Sequence, residues 1–404
     1  MASTSVSASS IDQILQKYTS LSENPVPGII AGIVDNRKGL VYLGSAGAKS
    51  LSDPHDKVSN DSTVAFYSTT KAITVTAFLQ LLESGKIHSI NDLVEDYIPE
   101  LKNVTLLSSF EENGNPILTA PKTKPTLLHL VTHTAGFAYA FFNENYKKLQ
   151  EKTGSPNILA STWKEFDTPL NFEPGSQWEY GSNIDFLGKV VENVSGLTLD
   201  QYFKKYIFEP LDIQSLTFIR TPQHFSNHTS IHQRDYKTKK TVALPELHPA
   251  VPEFHCGGHG LFGKVEDYLK FLEIFLHNGK SPTTNRQILK PETIQNYCFA
   301  SLLPKGLEIV PLPASQPNLS NPVEIAPGVP KTWTANWLRI DSELPTGRSS
   351  GSFMWAGLTN LYYWVDPKKG IAGFFAAQLF PFYDPNCLSA FQEFETAAYQ
   401  LLNK

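Results

Sequence analysis

Ser68 and Lys71 stand three residues apart in "FYSTTKAITVTAFLQLLESG" (66–85), at the head of an apolar stretch. A serine hydroxyl becomes a nucleophile when a neighbour takes its proton. Lysine can do so only when neutral, which demands a water-poor site or nearby positive charge to lower its pKa of about 10.4. The plain alternative is a helix cap beside a surface lysine, since Ser is a favoured N-cap and Lys a common helix residue. A second copy of the pattern, Ser161-Thr-Trp-Lys164, shows how little four letters carry. The two copies differ in setting. After Ser68, the residues Ile73, Ala77, Phe78, Leu81 and Leu82 recur at helical spacing until Gly85. That predicts a buried amphipathic helix, with Lys71 on the same face as Ser68. After Ser161, Pro169 blocks any long helix. The first copy has the geometry that the chemistry needs.

A Ser-Lys pair gains from a third group. A tyrosine held near the ammonium would ionise below its usual pKa of about 10, because the cation stabilises the phenolate. "WEYGSNIDFLGKVVENVSG" (178–196) offers Tyr180, between the Pro174-Gly175 turn and a helix with apolar Ile184, Leu187, Val190 and Val191. Asn183 would cap that helix or point into the same pocket. The competing account of Tyr180 is a ring buried for packing, with its hydroxyl on a backbone carbonyl.

Other groupings point to structure. "GHGLFGK" (258–264) nearly spells a phosphate-binding loop, but Val265 replaces the Ser/Thr that would hold magnesium and no strand precedes it. Tight glycine turns explain it better. His129 and His133 are four apart in "HLVTH", but no Glu lies between them and "TAG" ends the helix at about His133. His255, Cys256 and His259 sit among glycines with no fourth ligand nearby. Gly351-Ser352-Phe353-Met354 fails the Gly-x-Ser-x-Gly elbow of other serine hydrolases. No cofactor or metal is called for.

The elements that must position these residues are legible in outline. Ser10 can cap a first helix striped by Ile11, Ile14, Leu15 and Tyr18. "GIIAGIV" (28–34) and "LVYLGSA" (40–46) flank Asp35–Gly39 as a β-hairpin. From Ser68 to about residue 250 the signals are mostly helical, clearest at 185–196 and 199–211. Strand-like runs return at 333–340, 349–355, 360–366 and 370–378, and a striped helix from Leu388 to Leu402 follows. Strands at both ends around a helical middle predict one sheet split in sequence, with a helical region inserted. The stretch 301–332, rich in Pro, Asn and Ser, reads as a surface excursion.

The bulk numbers exclude several classes. A net charge of −5 and a pI near 6.1 give no footprint of a nucleic-acid or membrane-surface partner. No run approaches 18 apolar residues, which argues against a membrane span. Three cysteines (Cys256, Cys298, Cys387) without paired spacing suggest a reducing compartment rather than a disulfide framework. "MASTSVSASS" has no apolar core and so reads as neither signal nor anchor. Without a signal, the sequons at Asn60, Asn103, Asn193, Asn227 and Asn318 are taken as chance, and a cytoplasmic protein is expected. Oligomeric state has no signature here.

Together these stretches resemble the serine β-lactamase and penicillin-binding protein superfamily, and more closely its branch of class C-like carboxylesterases and fungal statin side-chain acyltransferases. "STTK" (68–71) is similar to the first motif of that superfamily. "LLHLVTHTAGF" (127–137), "EPGSQWEYGSNIDFLG" (173–188), "GGHGLFGKVEDYLKFL" (257–272) and "DPKKGIAGFFAAQLFPFYDPNC" (366–387) follow in the order of the branch. The resemblance implies an α/β (α+β) fold: an antiparallel sheet flanked by the terminal helices, with an inserted, mostly helical domain. The boundaries expected are 1–66 and 251–404 for the sheet domain and 67–250 for the insertion, with the site between them. It further implies Ser68 as acylated nucleophile, Lys71 and Tyr180 as its proton-transfer pair, and the backbone N–H groups of Ser68 and Leu358 as oxyanion hole. Tyr139, Asn183, Trp355 and Gly357 would contact substrate, and Phe137 would line the acyl pocket. One departure bears on substrate. Where β-lactamases carry Lys-Thr-Gly, this chain has "FMWAG" (353–357), without a cation. An uncharged acyl ester or thioester is expected, hydrolysed or passed to an alcohol of secondary metabolism, with little β-lactam turnover.

Overall fold

The computed structural model describes residues 7–403, so most of the polar stretch at 1–10 lies outside the described residues. An antiparallel eight-stranded sheet draws its strands from both ends of the chain. The N-terminal part supplies β1 (Gly28–Asp35), β2 (Gly39–Ser50) and β3 (Asp53–Lys57). The C-terminal part supplies β4 (Lys331–Trp333), β5 (Leu338–Ile340), β6 (Ser352–Gly357), β7 (Leu361–Asp366) and β8 (Ile371–Ala376). Their order is β4-β5-β6-β7-β8-β1-β2-β3. β1 joins the halves, pairing with β8 from Ile30↔Ala376 to Asp35↔Ile371. The hairpin after β1 turns where the sequence places it. The Asp35 carboxylate accepts from the N–H groups of Arg37 (2.9 Å) and Lys38 (3.0 Å).

Five helices matter to the site and its support: α1 (Ala8–Thr19), α2 (Thr70–Glu83), α3 (Asn183–Ser195), α4 (Val265–Glu273) and α5 (Pro385–Leu401). Successive strand residues point to opposite faces, and both faces are covered. Trp364 and Phe375 meet Phe391 and Phe394 of α5, while their neighbours Tyr363 and Phe374 meet Tyr268 of α4. α1 lies beside α5, and α2 packs against α3. No helix among the described residues is long and apolar enough to cross a membrane. The three cysteines are free and buried, each in a different part of the molecule.

Several local expectations are corrected. α2 is not amphipathic, being buried everywhere except at Gln80, Leu82 and Glu83. Its threonines are satisfied internally: Thr74 Oγ1 donates to the carbonyl of Gly257 (2.6 Å) and Thr76 Oγ1 to that of Ala72 (2.9 Å). The run 333–340 is two strands, because the Thr334 hydroxyl accepts from the N–H groups of Asn336 (3.3 Å) and Trp337 (3.2 Å) and folds the chain back. The run 199–211 is α-helical only over Leu199–Phe203. A π-turn at Lys204–Phe208 and a 3-10 turn at Glu209–Leu211, with Pro210 lacking its N–H, end it. At α1 the cap position is Ser7, and Ser10 Oγ accepts from its N–H (3.3 Å).

Candidate active site

Ser68 sits on a 3-10 turn, Tyr67–Thr69, that leads into α2. Tyr67 is held at φ 46°, a left-handed conformation that a bulky residue adopts only when its surroundings enforce it. Its hydroxyl bonds to His248 Nε2 (3.1 Å), and its ring meets Phe380 edge-on. The turn delivers Ser68 outward: from Ser62 to Leu79 it is the one residue not buried.

Lys71 lies over Ser68, as the spacing predicts, with Nζ 3.2 Å from Oγ. Nζ also donates to Tyr139 Oη (3.0 Å) and to the carbonyl of Gly258 (2.8 Å). Burial disfavours the ammonium and pulls its pKa down to about 7, against the opposing pull of the Asp185 carboxylate. Tyr180 meets the same amine with its ring face, at 4.9 Å from the centroid. Its hydroxyl accepts from Trp355 Nε1 (2.9 Å) and lies within reach of the Ser68 hydroxyl. Burial pushes the Tyr180 phenol up. That runs against the fall expected from a neighbouring cation, whereas the lysine's own proton is loosened by burial.

Asp185 was missed by sequence reasoning, although a carboxylate inside the apolar run Ile184–Leu187 was the signal. It is fully buried and accepts from Tyr139 Oη (3.2 Å) and the N–H of Gly258 (2.7 Å). Burial works to raise its pKa, but the His259 imidazole, Lys71 and that N–H hold it below the usual carboxylate range. Gly258 thus accepts from Lys71 and donates to Asp185 through its backbone. A Cβ there would strike the Asp185 carboxylate, which explains the first glycine of "GHGLFGK" without a phosphate.

Of the residues expected to touch substrate, Trp355, Gly357 and Leu358 line one apolar pocket with Ser68. Tyr139 is instead joined to Lys71 and Asp185. Asn183 is fully buried, its amide reaching His133 Nδ1 (3.2 Å) and the carbonyl of Phe137 (3.1 Å), so it fastens a turn rather than facing the pocket. Phe137 stacks on Phe186, with ring centroids 4.0 Å apart, and does not line the pocket. The pocket is nearly filled, with about 20 Å³ open. Leu312 and Val323, bonded to each other through their backbones (2.9 Å each way), and Ile325 close over it. The 301–332 excursion is therefore partly a strap, whose Leu312, Val323 and Ile325 share the pocket with Trp355.

The other groupings separate. Ser161 is buried at a left-handed turn (φ 54°) and Lys164 is exposed, so they form no pair. The pair His129 and His133 splits: His129 Nδ1 accepts from the N–H of Thr126 (3.2 Å), while the His133 ring packs between Tyr180 and Trp333. His255 turns toward Glu192 (3.7 Å). Cys256 and His259 instead meet Glu165, their ligand atoms all within 4.8 Å. This is the one group of metal-ligand types so placed among the described residues. Burial raises the Glu165 pKa to about 8.

The chain as a whole is similar to several known proteins. An acyltransferase of Penicillium decumbens is 28% identical, with 94% of each chain covered. The monacolin J acid methylbutanoyltransferase of Aspergillus terreus is 26% identical over 93% of this chain and 92% of its own. A lovastatin esterase of Penicillium rubens is 28% identical over 70% of each. Among solved structures, a mutant of simvastatin synthase from Aspergillus terreus superposes with a TM-score of 0.82 at 26% identity, covering 98% of this chain and 95% of that one. The Beta-lactamase family profile matches residues 11–398, and the chain belongs to that family.

Proposed function

We propose that the protein is a serine acyl-transfer enzyme that forms an acyl-Ser68 intermediate from a short-chain ester or thioester. The observation that carries this is Lys71, a buried amine 3.2 Å from the Ser68 hydroxyl whose pKa of about 7 lets it accept a proton near neutrality. Neutral Lys71 takes the proton, and Oγ attacks the acyl carbon. The N–H groups of Ser68 and Leu358 receive the oxyanion, each such donor being worth on the order of a hundredfold in rate. The proton taken by Lys71 then passes through the Tyr180 hydroxyl to the leaving oxygen or sulfur as the acyl bond breaks, which leaves Lys71 neutral again. Water or an alcohol then attacks the acyl-serine. Relatives named as acyltransferases and one named as an esterase support both endings. Transfer to an alcohol of secondary metabolism is the second reading, favoured by the two acyltransferase relatives reported above.

The apolar wall of β6, with no cation, suits an uncharged acyl chain over a β-lactam carboxylate. Residues 67–250 are taken as the inserted unit, in keeping with sheet strands drawn from 28–57 and 331–376. Three free, buried thiols fit the reducing cytoplasm. Ser68→Ala should abolish hydrolysis of p-nitrophenyl butyrate while Ser161→Ala leaves it nearly unchanged. A fluorophosphonate should leave a mass adduct on Ser68. Undiminished turnover by Ser68→Ala would sink the assignment.

A further inference from the structure

Past the closed pocket lies a larger space. A cavity of about 570 Å³ begins where the acyl pocket ends, with Phe141 and Leu358 as walls of both. Its size falls within the roughly 300–1,000 Å³ of small-molecule sites. Among the described residues, no charged side chain lines it. Its polar chemistry comes mostly from side-chain amides, including Gln150, Gln233, Gln316 and Asn318. Gln233 Nε2 donates to the carbonyls of Arg234 (3.2 Å) and Asn318 (3.0 Å), so its N–H groups are engaged and Oε1 can accept. Gln316 Nε2 reaches Gln150 Oε1 at 3.5 Å, the long end of a hydrogen bond, so little is lost in trading it for a ligand.

Amides donate and accept in equal measure, as hydroxyls do. A carboxylate only accepts, and enclosing it without a cation is costly. We infer that this cavity holds the alcohol portion of the substrate, and that it selects an uncharged, hydroxyl-bearing alcohol over a carboxylated one. The inference rests on the acyl-Ser68 reading. An alcohol seated there would approach the acyl carbon from the Leu358 side. Its oxygen bonds to that carbon as the bond to Ser68 Oγ breaks, and its proton passes through Lys71 to Oγ. Two relatives bear names with carboxylated acceptors, monacolin J acid and ML-236A carboxylate. This chain would differ from them in acceptor class.

The test uses the full chain with p-nitrophenyl butyrate as donor and a matched pair of polyols, methyl cholate and cholate, as acceptors. Butyryl ester formed is measured by mass spectrometry beside p-nitrophenol release. Methyl cholate should be acylated at least about tenfold faster than cholate, the cost of enclosing an unpaired charge. Gln233→Leu and Gln316→Leu should each lower the ratio of butyryl transfer to p-nitrophenyl butyrate hydrolysis severalfold. Leu247→Arg, which places a cation in the wall, should turn the preference toward cholate. Equal acylation of the two polyols, or none of either while hydrolysis proceeds, overturns the inference and leaves the acyl-Ser68 reading standing. Failure of the unaltered protein to hydrolyse the donor would remove both.

Discussion

At Lys71, function turns on one proton. Burial lowers its pKa and Asp185 opposes that shift, so the sign of two experiments follows. Below about pH 7 the amine keeps its proton and cannot accept one from Ser68, so kcat/KM for p-nitrophenyl butyrate should climb with pH through a midpoint near 7. Asp185→Asn removes the charge that favours the ammonium, so the same limb should move to lower pH. A midpoint unmoved by that change would mean that Asp185 does not act on Lys71. Ser68 and Lys71 could be read from sequence because the apolar helical pattern that follows them, absent after Ser161, stacks the pair. Tyr139 and Asp185 could not be placed in this way. Their contacts with Lys71 span 68 residues in one case and run through Gly258 in the other, and no local period encodes either.

At the scale of elements, the strap decides what fits. Ile325 closes a pocket with about 20 Å³ open over Ser68. Ile325→Ala removes three carbons from that wall. Each methylene of a substrate then buried is worth about 0.8 kcal/mol. Across p-nitrophenyl esters from acetate to octanoate, the kcat/KM optimum should move to longer chains, and Ile325→Trp should move it to shorter ones. An optimum unchanged in both variants would show that the strap does not bound the acyl group. The strap was the least legible element, because its Pro, Asn and Ser content reads as solvent-facing and its apolar residues carry no period. The central strands were clearer, since β1, β6, β7 and β8 are short apolar runs between turn residues. Where they erred, as at 333–340, one threonine hydroxyl had remade the turn.

Across the whole molecule, two buried ion pairs secure α5 to the rest. Arg348 holds Glu395 through Nε (2.7 Å) and Nη2, and Arg234 Nε holds Asp384 (2.7 Å), the cap of that helix. Losing one partner strands a charge. Arg348→Met should therefore cost roughly 3–5 kcal/mol in urea unfolding, and adding Glu395→Leu should restore much of it. A single variant as stable as the parent would refute the pairing. The split sheet itself was legible, because strand-like runs at both ends leave few ways to close a core. The thiols give the folded state a clock. Cys256 lies beside the site, Cys298 in the π-turn Ile294–Phe299 and Cys387 in the first turn of α5, each at most 1% exposed. An alkylating reagent can reach them only through openings of the structure. Three labelling rates, read by mass on one sample, would time how often the site, the π-turn and the C-terminal helix each come loose, and whether they do so together.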